Sequence, residues 1–227
     1  MSFANRVIQF HEGLQPDWRV PDGIELLFPY REEATRQALT AFYRKYYDDV
    51  QPRIGIFGIN PGRFGAGVTG VPFTDPIRLA EVAGIPNDFK KRQELSSVFV
   101  YELIDAWGGP EAFFGTFYIT SLSPLGFTKN GRNYNYYDDK VIQEAVTPYI
   151  LDHLRTQLEL GISERAAVCM GRGKNSTYFE RINDAHGLFD TILTAPHARW
   201  VMQYRRRRLQ EYIELYLDRL REAVRLA

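Results

Sequence analysis

The chain has 227 residues, 44% hydrophobic and 14% aromatic, enough for one large core and too apolar for a disordered chain. Its 28 basic and 28 acidic residues cancel, which excludes a uniformly cationic nucleic-acid coat protein but not a localised basic face. The single cysteine, Cys169, excludes a disulfide framework, a thiolate zinc site and an iron–sulfur cluster held by four cysteines.

Residues 1–10 lack the charged start and long apolar run of a signal peptide. No run approaches the roughly 18 apolar residues that a membrane span needs. The expected location is the cytoplasm or the bacterial nucleoid, with the nucleus as the eukaryotic equivalent. The first helical pattern covers residues 32–46, with Ala34, Ala38, Phe42 and Tyr46 at four-residue spacing. A buried strand follows at 53–59. A helix at 94–106 carries Leu95, Val98, Phe99, Leu103 and Ala106 on one face. A strand at 116–121, a helix at 138–159, strands at 166–170 and 191–195, and a helix at 209–224 complete the pattern. Short apolar strands alternating with helices predict an α/β fold, a three-layer α/β/α sandwich on a central four-stranded parallel sheet. With no repeat, low-complexity tract or linker, residues 1–227 read as a single domain.

Two long stretches read as irregular, from residue 60 to about 91 and from 122 to about 137. Both follow strands, so both gather at one edge of the sheet with the turn at 196–200. Residues 57–73 hold five glycines and two prolines, a loop that brings bare backbone close to a ligand. Asn60 stands at the carboxyl end of the strand, where open α/β sheets bind ligands. A neutral amide, exposed backbone and the ring of Phe73 suit a planar polar heterocycle better than a phosphate.

Of the four histidines, His11, His153 and His186 read as solvated or structural; His197 differs because it follows a strand end. Cys169 lies in an apolar run and reads as a buried structural thiol. Gly171-Arg172-Gly173-Lys174-Asn175-Ser176 is close to a phosphate loop, but Val168 stands where the first glycine belongs. It reads as a glycine-rich helix entry, which could hold a DNA phosphate. The loop at 128–137 mixes cations, amides and aromatics, a mixture found in nucleic-acid grooves and in ordinary solvated loops. Arg205 to Arg208 form the densest basic run, beside the aromatic stretch Trp200 to Tyr204. Such a run is either a solvated helix face or part of a site edge that wedges a duplex.

Together these loops resemble the uracil-DNA glycosylase superfamily, and most closely a bacterial branch of its single-strand-selective monofunctional family. The resemblance rests on Gly58-Ile59-Asn60-Pro61-Gly62-Arg63-Phe64-Gly65, continued by Thr69-Gly70-Val71-Pro72-Phe73, and on Ser123-Pro124-Leu125-Gly126-Phe127 with Gly131-Arg132-Asn133. A shorter match is His197 in a Pro-His-x-Arg turn. The resemblance implies that Asn60 positions a water and that His197 hydrogen-bonds the base oxygen. It implies that Phe73 stacks under an extruded base, with backbone at Gly62, Phe64 and Ala66 against the pyrimidine. Lys129, Arg132, Arg199, Arg205 and Arg206 are the DNA-binding candidates. Two positions depart from the family: Ser121 stands where an asparagine commonly reads the base edge, and Ala198 replaces the proline after the histidine. A hydroxyl lacks the paired geometry of an amide, so bases other than uracil come into range.

The expected activity is hydrolysis of the N-glycosidic bond of uracil or a related deaminated or oxidised base in DNA. The enzyme would be monofunctional and leave an abasic site, without metal or other cofactor, acting as a monomer on single- or double-stranded DNA. The alternatives are a catalytically inactive DNA- or nucleotide-binding module of the same fold and a small-molecule hydrolase using the same pocket.

Overall fold

The structure, a computed structural model, describes residues 1–16 and 19–227. In chain order its elements are α1 (Phe3–Glu12), β1 (Glu25–Leu27), α2 (Glu33–Tyr46), β2 (Arg53–Gly58), α3 (Ala66–Thr69), α4 (Pro76–Glu81), α5 (Leu95–Trp107), α6 (Pro110–Thr116), β3 (Phe117–Ser121), β4 (Gly126–Lys129), β5 (Arg132–Tyr134), α7 (Lys140–Glu159), β6 (Ile162–Met170), α8 (Lys174–His186), β7 (Thr191–Ala195), α9 (Ala198–Tyr204) and α10 (Leu209–Leu226). A short 3-10 turn, Arg206–Arg208, joins the last two helices.

The four apolar runs form one parallel sheet in the order β3-β2-β6-β7. Every residue of β2 and β3 is buried, as is the second half of β6. Strands buried on both faces require helices on both sides, which is the three-layer α/β/α arrangement. α10 shows why such helices dock: Ile213, Tyr216, Leu217, Leu220 and Ala223 recur at helical spacing, and all are buried. Arg53 is buried within the aromatic core and fully engaged. Its Nε donates to Phe114 O at 2.8 Å, its Nη2 pairs with Asp49 Oδ2 at 2.6 Å, and the rings of Phe3 and Tyr47 lie against it.

The structure corrects several expectations. The stretch from 60 to 91 holds two short helices. Asp75 caps α4, accepting from the N–H groups of Ile77 and Arg78 at 3.0 and 2.9 Å, with Pro76 in the first turn. A helix that short leaves no periodicity to read. The stretch from 122 to 137 is largely a hairpin. Asn130 and Gly131, with φ of 51° and 66°, form the two-residue turn between β4 and β5. Asn-Gly is a strong hairpin signal, masked here by the polar composition around it. β1 pairs with β4, giving a three-stranded antiparallel sheet in the order β1-β4-β5. β6 begins at Ile162 rather than 166, because exposed Glu164 and Arg165 interrupt its apolar pattern; the register against β2 also shifts between Arg53 and Gly55. The turn expected at 196–200 opens helix α9.

All four parallel strands end at the same edge. Asn60 follows β2, Ser121 ends β3, Arg172 follows β6 and His197 follows β7.

Candidate active site

At that edge lies a cavity of about 800 Å³. Asn60, Gly62, Ala66, Phe73, Ser121, His197 and Arg199, seven of the residues singled out in the sequence, line it together.

Asn60 is locked by the second sheet. Its Nδ2 donates to the carbonyls of Pro61 and Tyr134, both at 3.3 Å, and its Oδ1 accepts from Tyr136 N–H at 3.3 Å. The two donations fix which way the amide faces. One lone pair of Oδ1 is left over. Gly126 of β4 packs so tightly against the Pro61 carbonyl that a Cβ there would collide with it. The hairpin thus seats directly on the loop that carries Asn60.

Phe73 has a φ of 53°, a backbone region that bulky residues rarely occupy. The loop before it is tied by Thr69, whose hydroxyl donates to Thr74 O at 2.7 Å and accepts from Val71 N–H at 3.2 Å. The Phe73 ring lies over Gly58 at the end of β2, where a Cβ would come within 2.9 Å of it. Glycine at 58 is what lets the ring reach the cavity.

His197 is the N-cap of α9, with its Nδ1 accepting the backbone N–H of Arg199 at 3.1 Å. A nitrogen that accepts carries no proton, so the proton of the neutral ring sits on Nε2. Burial, and then the Arg199 charge, push the pKa of His197 down to about 4. The ring is therefore neutral at pH 7 and holds one N–H donor. Its centroid lies 6.0 Å from that of Phe73.

Ser121 is buried, and among the described residues no side-chain hydrogen bond engages its hydroxyl. Phe64 does not line the cavity, contrary to its expected place against the base. Its ring lies under the guanidinium of Arg92 at 3.5 Å and that of Arg63 at 4.3 Å. Gly62 and Ala66 on either side of it line the cavity, and its side chain turns away. Among the cations only Arg199 of the expected set lines the cavity. Lys129 and Arg132 face each other on the hairpin, with Lys129 near Asp139 at 3.9 Å. Arg205 lies over Trp200, 5.1 Å from the ring centroid, and Arg206 is exposed beside it. These two stand at the rim, next to the lining residues Trp200 and Tyr204, which are 39% and 64% exposed.

Sequence reasoning missed several cavity residues. Asn133 was visible only within a polar loop and the Gly131-Arg132-Asn133 match, with no role assigned to it. It lines the cavity, and its Oδ1 accepts Arg63 N–H at 3.1 Å. Arg172 reaches the cavity from the glycine-rich entry to α8. Glu94, the residue before α5, gave no signal, because nothing in its neighbours marks it as facing a pocket. Cys169 is buried and takes no part. Burial raises its pKa to about 12, and Asn175 Nδ2 donates to its sulfur at 3.3 Å. Among the described residues no cluster of His, Cys, Asp and Glu is arranged to hold a metal ion, and no helix is long and apolar enough to cross a membrane.

Comparison with known proteins agrees with this geometry. Residues 44–221 match the family model of the uracil DNA glycosylase superfamily. The crystal structure of wild-type Pedobacter heparinus SMUG2 superposes with a TM-score of 0.96 at 44% identity, covering 98% of each chain. No curated protein sequence matches.

Proposed function

The chain belongs to the uracil DNA glycosylase superfamily and acts as a DNA glycosylase, and from that premise we propose that it is monofunctional, with Asn60 and His197 as its catalytic pair. The target base has to leave the stack to reach a pocket of this kind. It stacks on Phe73, with the backbone at Gly62 and Ala66 alongside. Ser121 meets the edge that pairs in a duplex. Cleavage of the glycosidic bond leaves positive charge on the sugar and negative charge on the base. His197 donates Nε2–H to the base oxygen, where the negative charge collects. Asn60 holds a water through the free lone pair of Oδ1 and aims it at C1′. An amide takes no proton at neutral pH, so Asn60 orients the water rather than deprotonating it.

The observation that carries this reading is the fixed tautomer of His197 in the same cavity as a locked Asn60. Among the described residues no lysine lines that cavity, which supports hydrolysis over an imine intermediate. Arg199, Arg205 and Arg206, with Trp200 and Tyr204, form a basic aromatic rim suited to holding DNA around the extruded nucleotide. Lys129 and Arg132 extend the cationic surface along the hairpin.

The test is a uracil-containing oligonucleotide incubated with the enzyme, then treated with alkali or left untreated. Strand breaks only after alkali are the expected result. Breaks without alkali, or an enzyme–DNA adduct trapped by borohydride, would mean lyase chemistry.

A further inference from the structure

Glu94 is a half-buried carboxyl group that the mechanism above does not use. It lines the cavity from the N-terminus of α5. Its own N–H donates to Asp75 Oδ2 at 2.9 Å, which fixes its backbone on the cap of α4. Its carboxyl rests against the glycine-rich loop of residues 57–73, the clamp on the base side of the cavity. A Cβ on Gly65 would collide with Glu94 Oε2, and one on Gly62 would lie 3.0 Å from Oε1. Gly62 is two residues beyond Asn60. Among the described residues no hydrogen bond or ion pair reaches either carboxyl oxygen. The carboxyl is thus free to meet a molecule in the cavity. Among the described residues the only other carboxylate lining the cavity, Glu211, is paired with Arg208 at 2.5 Å.

Resting on the proposed hydrolysis, we propose that Glu94 is a third catalytic residue, the acceptor of the proton that the attacking water releases. Water oxygen bonds to C1′ while the C1′–N bond breaks, and the bonding pair leaves on the base. The water proton passes to the Glu94 carboxylate. The base anion, held by His197, afterwards takes up that proton through solvent, which returns Glu94 to its starting state. Water is the only co-reactant. Asn60 and Glu94 divide the task that one side chain cannot perform: the amide orients the water, and the carboxylate takes its proton. The same negative charge favours the cationic sugar of the transition state.

The surroundings tune this group for the role. Burial, and then the nearby Asp75 carboxylate, raise the Glu94 pKa to about 7, while Arg199 from α9 acts in the opposite direction. Of the other charged groups nearby, all but Arg172 are engaged or neutral. Arg63 and Arg92 lie on the Phe64 ring, Arg78 pairs with Asp75 at 3.4 Å, His197 is neutral, and Arg172 lines the cavity from the end of β6. A base that titrates near neutrality is well matched to general-base catalysis.

The experiment is single-turnover uracil excision by wild type and Glu94→Gln from pH 5.5 to 8.5, with binding to abasic-site DNA and thermal unfolding measured on the same proteins. The wild-type rate should climb with pH and level off above about 7. Glu94→Gln, of the same shape, should be flat with pH. It should be about 10²-fold slower at pH 8, with the gap closing to a few-fold at pH 5.5, where wild type is itself protonated. Abasic-DNA binding and melting temperature should match wild type. A variant that keeps the wild-type rate and pH profile overturns the assignment. A variant slowed equally at every pH overturns it too, since that is the mark of a clamp support. If wild type excises no uracil at any pH, the hydrolytic reading beneath the proposal falls, and the proposal with it.

Discussion

The backbone N–H of Arg199 donates to His197 Nδ1 at 3.1 Å, and that one bond determines where the ring keeps its proton. A helix cap is ordinarily a stability device. Here it also sets a tautomer, because a capped Nδ1 leaves Nε2 as the only protonated nitrogen. The depressed pKa of the ring has the same effect from another direction, keeping it neutral throughout the range in which the enzyme would be assayed. A loss of activity below pH 7, if measured, would therefore belong to another group.

One buried histidine makes stability depend on pH. His11 lies under the Tyr30 ring at a centroid distance of 4.7 Å, with its Nδ1 bonded to Val7 O at 2.8 Å. Desolvation pushes its pKa down to about 4, the Val7 bond opposes this, and His153 adds to the lowering. The unfolded chain thus binds a proton near pH 6.5 that the folded chain refuses. Stability from this group is complete above about pH 6.5 and is lost as pH falls toward 4. Urea unfolding should show about 2 kcal/mol of loss from His11 alone between pH 7.5 and pH 5. His11→Phe should flatten that part of the slope. An unchanged slope would assign the acid sensitivity to other groups.

Asn60→Ala should slow excision strongly while leaving affinity for uracil DNA largely intact. The substitution also cuts the ties to Tyr134 and Tyr136, so a fall of a few degrees in melting temperature is expected. Excision rates and equilibrium binding measured side by side decide the point. Equal losses in both would make Asn60 a base reader or a structural tie.

Replacing Arg205 and Arg206 together with Ala should weaken binding to every DNA sequence. The dependence of log K on log salt should become shallower by up to roughly 0.9 for each lost phosphate contact. Arg205 packs on the exposed Trp200 ring, so part of the loss reflects a rim aromatic set free. If titrations from low to moderate salt give the wild-type slope, the run is a solvated surface turn.

Ser121 presents an unengaged hydroxyl, which can turn to donate or accept. Excision should therefore extend beyond uracil, with hypoxanthine, xanthine and 5-hydroxymethyluracil as candidates. Ser121→Asn should sharpen the preference for uracil. Oligonucleotides that differ only in the lesion provide the comparison. Strict uracil specificity in both proteins would mean that backbone or Asn133 reads the base.

The sheet was legible because buried parallel strands are written as unbroken apolar runs, and β2, β3 and β7 fall within a residue of where those runs lie. Asn60, Phe73 and His197 were legible because a glycine-rich loop and a strand-end histidine are local signals. Glu94 was not. Its importance comes from the approach of α5 to the clamp, a contact across about thirty residues that no spacing encodes. Of the three loop residues expected to offer backbone to the base, Gly62 and Ala66 line the cavity and Phe64 does not, since only the fold sets how deep each part of a loop lies. The hairpin was missed although Asn130 and Gly131 spell its turn, because strands of three and four residues show too little alternation.

The central claim is that a neutral His197 stabilises the departing base. Single-turnover excision from a uracil oligonucleotide by His197→Ala tests it most directly. The predicted result is a rate lower by about 10²–10³, the scale for removing one donor to a developing anion, with abasic-DNA binding kept. A mutant that excises uracil as fast as wild type would contradict it.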